Sequence, residues 1–143
     1  MEVRIASHGE SIKPGIVYFA PSEVHLELVN NHKIELANGP KVCYVRPAAD
    51  ITMKSVRKAE GYSITGIIMT GMGRDGSNGC KHIRQRGGFV FGQDEATSDV
   101  YGMNKVAFAE GHVDRQFSLN DAATIITRQV ARLWCRSRQT ASV

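Results

Sequence analysis

The sequence has little that could staple, anchor or repeat. Its three cysteines, Cys43, Cys80 and Cys135, are far apart and form no C-x-x-C pair. An odd number at such spacing signals neither a disulfide framework nor a zinc ligand set. The thiols are expected to be buried or free, with no metal and no other cofactor. No apolar run approaches the ~18 residues of a membrane span, and no signal peptide opens the chain. No membrane insertion is expected, and the reading is cytoplasmic. Internal repeats and low-complexity stretches are also lacking, so residues 1–143 are expected to form one domain without a linker.

What is present suits a globular protein. Hydrophobic residues make up 42% and charged residues 22% of the 143 positions, enough for a real core. The formal net charge is +4, with Arg128, Arg132, Arg136 and Arg138 concentrating basic charge at the C-terminus. Without aromatic interleaving or a nucleic-acid motif, that charge reads as a solvated helix face rather than a nucleic-acid site. An acidic protein partner would also fit it.

In chain order, Val3 to Ile5 is a short strand and Ile16 to Ala20 a buried strand stopped by Pro21. Apolar and polar residues alternate in His25 to Val29 and Lys33 to Leu36 around Asn30-Asn31-His32, which predicts an antiparallel hairpin. Val42 to Ala49 shows no period. Asp50 is placed to N-cap a helix, ITMKSVRKAEG, closed by Gly61. Ile64 to Thr70, short and β-branched, reads as a central strand buried on both faces. Cys80 to Arg86 follows as a short helix, and Phe89 to Gln93 as the next strand, completing a βαβ unit. A helix from Met103 to Glu110 and a strand from Val113 to Phe117 come next. Ser118 and Asp121 resemble a capping box for a last helix, whose stripe of Ile125, Ile126, Gln129, Val130 and Leu133 should pack on the sheet. The fold class expected is α/β, mostly parallel and doubly wound, with one antiparallel β-hairpin.

The chain is organised around Gly71-Met72-Gly73-Arg74-Asp75-Gly76. Its three glycines allow positive φ or close backbone approach at the carboxyl end of a strand, where α/β folds place their chemistry. Asp75 sits there beside a helix start, where N–H groups and the helix dipole favour an ionised carboxyl. Helix capping and a functional role are equally compatible with that position. The glycines also spell G-x-G-x-x-G, with Asp94 18 residues beyond Gly76, the spacing of a dinucleotide site. Against a dinucleotide, Asp75 would point a carboxylate into the pyrophosphate position, and two such charges at ~4 Å repel by about 1 kcal/mol even in water. A P-loop is excluded because no Gly-Lys-Ser/Thr follows the glycines.

The stretch IIMTGMGRDGSNGCKHIRQRGGFVFGQDEATSDVYGMNKVAFAEGHVD resembles the chemotaxis protein-glutamate methylesterase catalytic domain, with its TGMG-x-DG motif and later QDEA-S/T-x-V-Y/F-GMP block. Upstream, KPGIVYFAPSEVHLEL and VRPAADI are similar to the family's PG-x-x-Y-x-AP and HRPSVDV segments, so the resemblance covers nearly the whole chain. It implies an esterase acting on methyl-glutamate of chemoreceptor cytoplasmic helices, with glutamine deamidation as a related activity. It carries the family's catalytic aspartate onto Asp75, and Met72, with Gly71 and Gly73, onto the site lining. A triad acid fixes the tautomer of its histidine and stabilises the imidazolium.

The family's serine turn and its histidine belong to a segment upstream of the residues matching Met1, and its receiver domain has no counterpart here. The chain is therefore expected to be the C-terminal portion of the catalytic domain, inactive alone. No serine lies in a G-x-S-x-G context. Ser77 is expected to cap the helix after Gly76, Ser7 and His8 to point apart, and His25, His32, His82 and His112 to be surface or hydrogen-bonded side chains. Val45 and Ala48 replace the His and Ser of HRPSVD, and Asn104 the Pro of GMP. Three functions compete: a methylesterase completed by a serine and histidine from elsewhere, a non-catalytic receptor-binding module, and a dinucleotide-binding protein. An open strand edge would favour self-association or docking of a complementing N-terminal segment.

Overall fold

The structure, a computed structural model, describes residues 1–140, and side chains through Leu133. Strands β1 (Glu2–Ile5) and β2 (Ile16–Phe19) pair in parallel. Strands β3 (His25–Val29) and β4 (Lys33–Ala37) form the expected antiparallel hairpin, turning through Asn30 and Asn31 at φ 53° and 60°. Asparagine tolerates this left-handed conformation better than other residues with a Cβ. Helix α1 (Ala49–Ser55) follows, then β5 (Thr65–Ile68), α2 (Ser77–Gln85), β6 (Phe89–Gln93), α3 (Met103–Ala109), β7 (Arg115–Phe117) and α4 (Ala122–Thr140), which a 3₁₀ turn at Leu119–Asp121 introduces. β5, β6 and β7 make a second parallel sheet in that order. The α/β class and the parallel ladders are therefore as expected.

Several local expectations are corrected. The central strand of the three is β6, not β5, because β6 pairs on both edges. Val90, Phe91, Gly92 and Gln93 are correspondingly all buried. β2 is half-buried, and Phe19 is 58% exposed, because it pairs with β1 alone. α1 stops at Ser55 instead of continuing to Gly61. There the Asn31 side chain pairs with both the N–H and the C=O of Arg57, and His82 contacts the Val56 carbonyl. These contacts take the backbone groups that a longer helix would have used. Asp50 is not the N-cap of α1; Ala48 is, and Asp50 lies inside the first turn. Ser118 makes no side-chain cap. In α4 the predicted stripe is only half-buried at Ile125, Ile126, Gln129 and Leu133, and Val130 is exposed.

Two apolar clusters hold these parts. Ile68, Cys80, Ile83, Val90 and Ala107 pack between the β5–β6 sheet and helices α2 and α3, with Met53 and Met103 against them. Each large aliphatic side chain so buried stabilises the fold by about 1.5–3 kcal/mol. The second cluster, Ala6, Leu26 and Ile34 with Tyr18 and Leu28, joins the hairpin to β1–β2. Helix α1 bridges the two. Its Thr52 hydroxyl donates to the Leu26 carbonyl at 2.7 Å, and its Ser55 hydroxyl accepts the Leu28 N–H at 2.8 Å. The outer edge of β3 is thus satisfied by helix side chains.

α1 and α2 approach closely at Gly79, where a Cβ would lie 2.6 Å from Met53 Cβ and 2.7 Å from its sulfur. The sequence pattern predicts α2 from Cys80, but Gly76, at φ 89°, redirects the chain early enough for the helix to begin at Ser77. Gly79→Ala should force the helices apart and cost about 1–3 kcal/mol, as overpacking does. Urea denaturation measures it, and an unchanged midpoint would mean that the contact at Gly79 is not tight.

Candidate functional site

The glycine turn leaves the carboxyl end of β5 and is fixed on every side. Gly73 and Gly76 take φ values of 93° and 89°, in the left-handed region that favours glycine. Gly71 is needed for space instead, since a Cβ there would meet the Met103 sulfur at 2.5 Å. The turn is strapped to the segment entering α3 by Gly71 N–H to Val100 O at 3.0 Å and Met103 N–H to Gly71 O at 2.8 Å. Met72 stands at its tip with 87% of its surface exposed.

Asp75 is buried, and its carboxylate points away from its own helix. Oδ2 accepts the Ala49 N–H at 2.7 Å and Oδ1 the Asp50 N–H at 3.0 Å, so Asp75 caps the N-terminus of α1. In return Asp50, also buried, accepts the Gly79 N–H at 2.7 Å and the Asn78 side-chain amide at 3.3 Å, capping α2. The two helices therefore exchange capping acids. Both carboxylates are held by orphan N–H groups and face positive helix ends. A carboxylate oxygen has two lone-pair sites, so Asp75 can accept a further hydrogen bond while it stays anchored. Sequence reasoning placed an acid at a helix start but missed the exchange, which joins residues far apart in the chain.

The residues after β6 brace this turn. Gln93 is buried, accepts the Thr70 N–H at 3.0 Å and donates to Thr97 O at 2.6 Å. Asn104, read from the sequence as no more than a lost proline, is buried and donates to Gln93 O and to the Ser98 hydroxyl. Asp94 is taken up by Thr97, accepting its N–H at 3.0 Å and its hydroxyl at 2.5 Å. The acid of the dinucleotide reading, Asp94, is thus not placed for one, since it closes a local turn, and Asp50 occupies an N–H at the start of α2.

No serine with described side-chain contacts is paired with a histidine as nucleophile and base. Ser77 does not cap α2 with its side chain, contrary to expectation. It is fully buried, and its hydroxyl donates to Glu110 Oε2 at 2.6 Å, with His112 Nδ1 3.1 Å away. A nucleophile needs an accessible oxygen whose proton passes to a base; here the proton is already committed to a carboxylate. His25 is a buried strut, its Nδ1 accepting the Ala48 N–H and its Nε2 donating to Pro40 O. His8 accepts the Leu36 N–H, and His32 contacts the Asn30 carbonyl. As expected, the histidines are surface or hydrogen-bonded side chains.

Fold and turn together define an α/β protein that presents an anchored acid at the carboxyl end of a parallel strand. Residues 1–126 match the CheB methylesterase family, and the chain belongs to it. A protein-glutamate methylesterase/protein-glutamine glutaminase 1 of Geobacter metallireducens is 42% identical over 124 residues, covering 85% of this chain and 34% of that protein. A protein-glutamate methylesterase/protein-glutamine glutaminase of Clostridium acetobutylicum is 38% identical over 133 residues, covering 93% of this chain and 39% of that one. The chain thus spans 34–39% of the length of these curated relatives. The crystal structure of the Thermotoga maritima CheB methylesterase catalytic domain matches with a TM-score of 0.77 at 34% identity, over 83% of this chain and 65% of that chain.

The exchanged caps predict unequal stability effects. Asp50→Ala leaves the buried Gly79 N–H without a partner and should cost about 2–3 kcal/mol, whereas Asp75→Asn keeps one acceptor and should cost about 1–2 kcal/mol. Equilibrium unfolding of both variants tests the order. A neutral Asp50→Ala would show that the caps do not hold the helix pair.

Proposed function

We propose that this chain is the acid-bearing, C-terminal part of a protein-glutamate methylesterase catalytic domain, acting in the cytoplasm on methylated glutamates of chemoreceptor helices. Glutamine deamidation would use the same site. The observation that carries this reading is the Asp75 carboxylate, held by two backbone N–H groups at the end of β5 with acceptor capacity to spare. In that role Asp75 would accept a histidine N–H, select its tautomer and stabilise the imidazolium formed when the histidine takes a serine proton. Met72, with Gly71 and Gly73, would line the approach to the ester. The serine and histidine would come from a complementing segment, as the engaged Ser77 hydroxyl supports. The same observation favours a second reading, a receptor-binding module without hydrolysis.

The chain alone is expected to release no methanol above background from methylated receptor. Addition of a relative's N-terminal catalytic segment carrying the serine and histidine should restore release, and Asp75→Asn should then lower it by about 10⁴-fold. Full activity of the chain alone, or of the complemented Asp75→Asn variant, sinks the assignment. Receptor binding without restored release would favour the binding module.

A complementing segment also has a surface to cover. Val3 and Ile5 pair in register with Val17 and Phe19, so these four share one face of the β1–β2 sheet, and Val3, Ile5 and Phe19 are 60%, 67% and 58% exposed. Parallel sheets are usually covered on both faces. Without the segment, the chain is expected to self-associate through this face in sedimentation experiments. A strictly monomeric chain at high concentration would count against that.

A further inference from the structure

We propose that Glu110 is a positioning residue for Asp75: one carboxylate, delivered from the end of α3, clamps the turn on both sides of the acid. The proposal rests on the reading of Asp75 given above for its functional consequence, but its geometry stands apart from it. Glu110 Oε1 accepts from the Arg74 guanidinium at 2.9 Å, and Oε2 accepts from the Ser77 hydroxyl at 2.6 Å. Arg74 immediately precedes Asp75, and Ser77 follows the left-handed Gly76. The glycine that could let the acid swing is therefore bridged.

Two further contacts hold the clamp itself. The Ser77 proton is given to Glu110, so the 3.1 Å contact between Ser77 Oγ and His112 Nδ1 requires the proton on Nδ1, donating to the serine oxygen. That N–H also lies 3.5 Å from Glu110 Oε2. Farther along α2, Arg84 donates to the Gly111 carbonyl and pairs with Asp114 at 2.8 Å. The segment from Glu110 to Asp114 is thus tied to both ends of α2. Nothing in this arrangement reaches Asp75 directly; it acts by fixing the two residues that flank it.

The clamp is charge-dependent. The Ser77 hydrogen bond, then the charges of Arg74 and His112, hold the Glu110 carboxyl below its ordinary range, against the opposing effect of desolvation. A depressed carboxyl contributes stability above its unfolded pKa and loses it as pH falls through the folded value. The charged or titratable groups facing Glu110 are Arg74 from the turn and His112 from the loop after α3, while Arg84 and Asp114 engage each other. Acidification should therefore loosen the Asp75 turn through Glu110.

Amide hydrogen exchange on the full chain tests this at the N–H groups of Ala49 and Asp50, which report whether the Asp75 carboxylate is in place. Glu110→Ala should speed their exchange by about tenfold, the scale of losing a charge-assisted hydrogen bond, with Val90 and Phe91 in β6 unchanged. Ser77→Ala should act in the same direction, and the double variant should add little to either, since both remove one interaction. In an acid titration followed by NMR, the Ala49 and Asp50 amides should show a step that Glu110→Gln lacks. Wild-type exchange at Ala49 and Asp50 in Glu110→Ala, or acceleration spread equally to Val90 and Phe91, would overturn the proposal. None of these measurements requires hydrolysis, so an active Asp75→Asn variant would defeat the functional reading and leave the clamp standing.

Discussion

The structure depends on the exchange of capping acids between α1 and α2. Each helix is short and begins inside the molecule, so its first N–H groups need partners, and a buried orphan donor costs about 1–3 kcal/mol. Asp75 supplies them for α1 and Asp50 for α2. Because each acid belongs to the other helix or the turn leading into it, neither end can form alone. Gly79 permits the close approach that brings acids and amides within reach. One consequence is that the Asp75 carboxylate is held in a fixed orientation at the end of β5.

Around that pair the molecule has two unequal halves. The β5–β6–β7 sheet is covered by α2 and α3, with Val90 of β6 and Ala107 of α3 fully buried. The β1–β2 ladder has one face against the hairpin cluster and the other in solvent. The solvent face of this pair carries the exposed side chains of Val3, Ile5 and Phe19. The acid lies in the well-packed half, where Gln93 and Asn104 hold the loop against the turn with buried side-chain amides.

Much of this was legible along the chain. Alternation placed the hairpin, the glycines of the turn announced positive φ and close approach, and the β5–α2–β6 unit followed from period and breakers. Other features were settled by competitions between residues distant in the chain. The pattern favoured a longer α1, but Asn31 and His82 take the backbone groups beyond Ser55. Serine at a helix start usually caps it, yet Glu110 and His112 draw the Ser77 hydroxyl away. Ile64 to Thr70 looked central because a buried strand and a half-covered edge strand have the same composition.

The sequence by itself determined the alternating and parallel elements, the glycine turn and the presence of one acid within it, because these depend on spacing along the chain and on the φ values that only glycine adopts easily. Tertiary structure alone decided what that acid touches. The partners of Asp75 lie at Ala49 and Asp50, those of Asp50 at Asn78 and Gly79, and those of Glu110 at Arg74 and Ser77. A carboxylate goes to whichever desolvated donors the packing of helices brings near it, and no local pattern records which those will be.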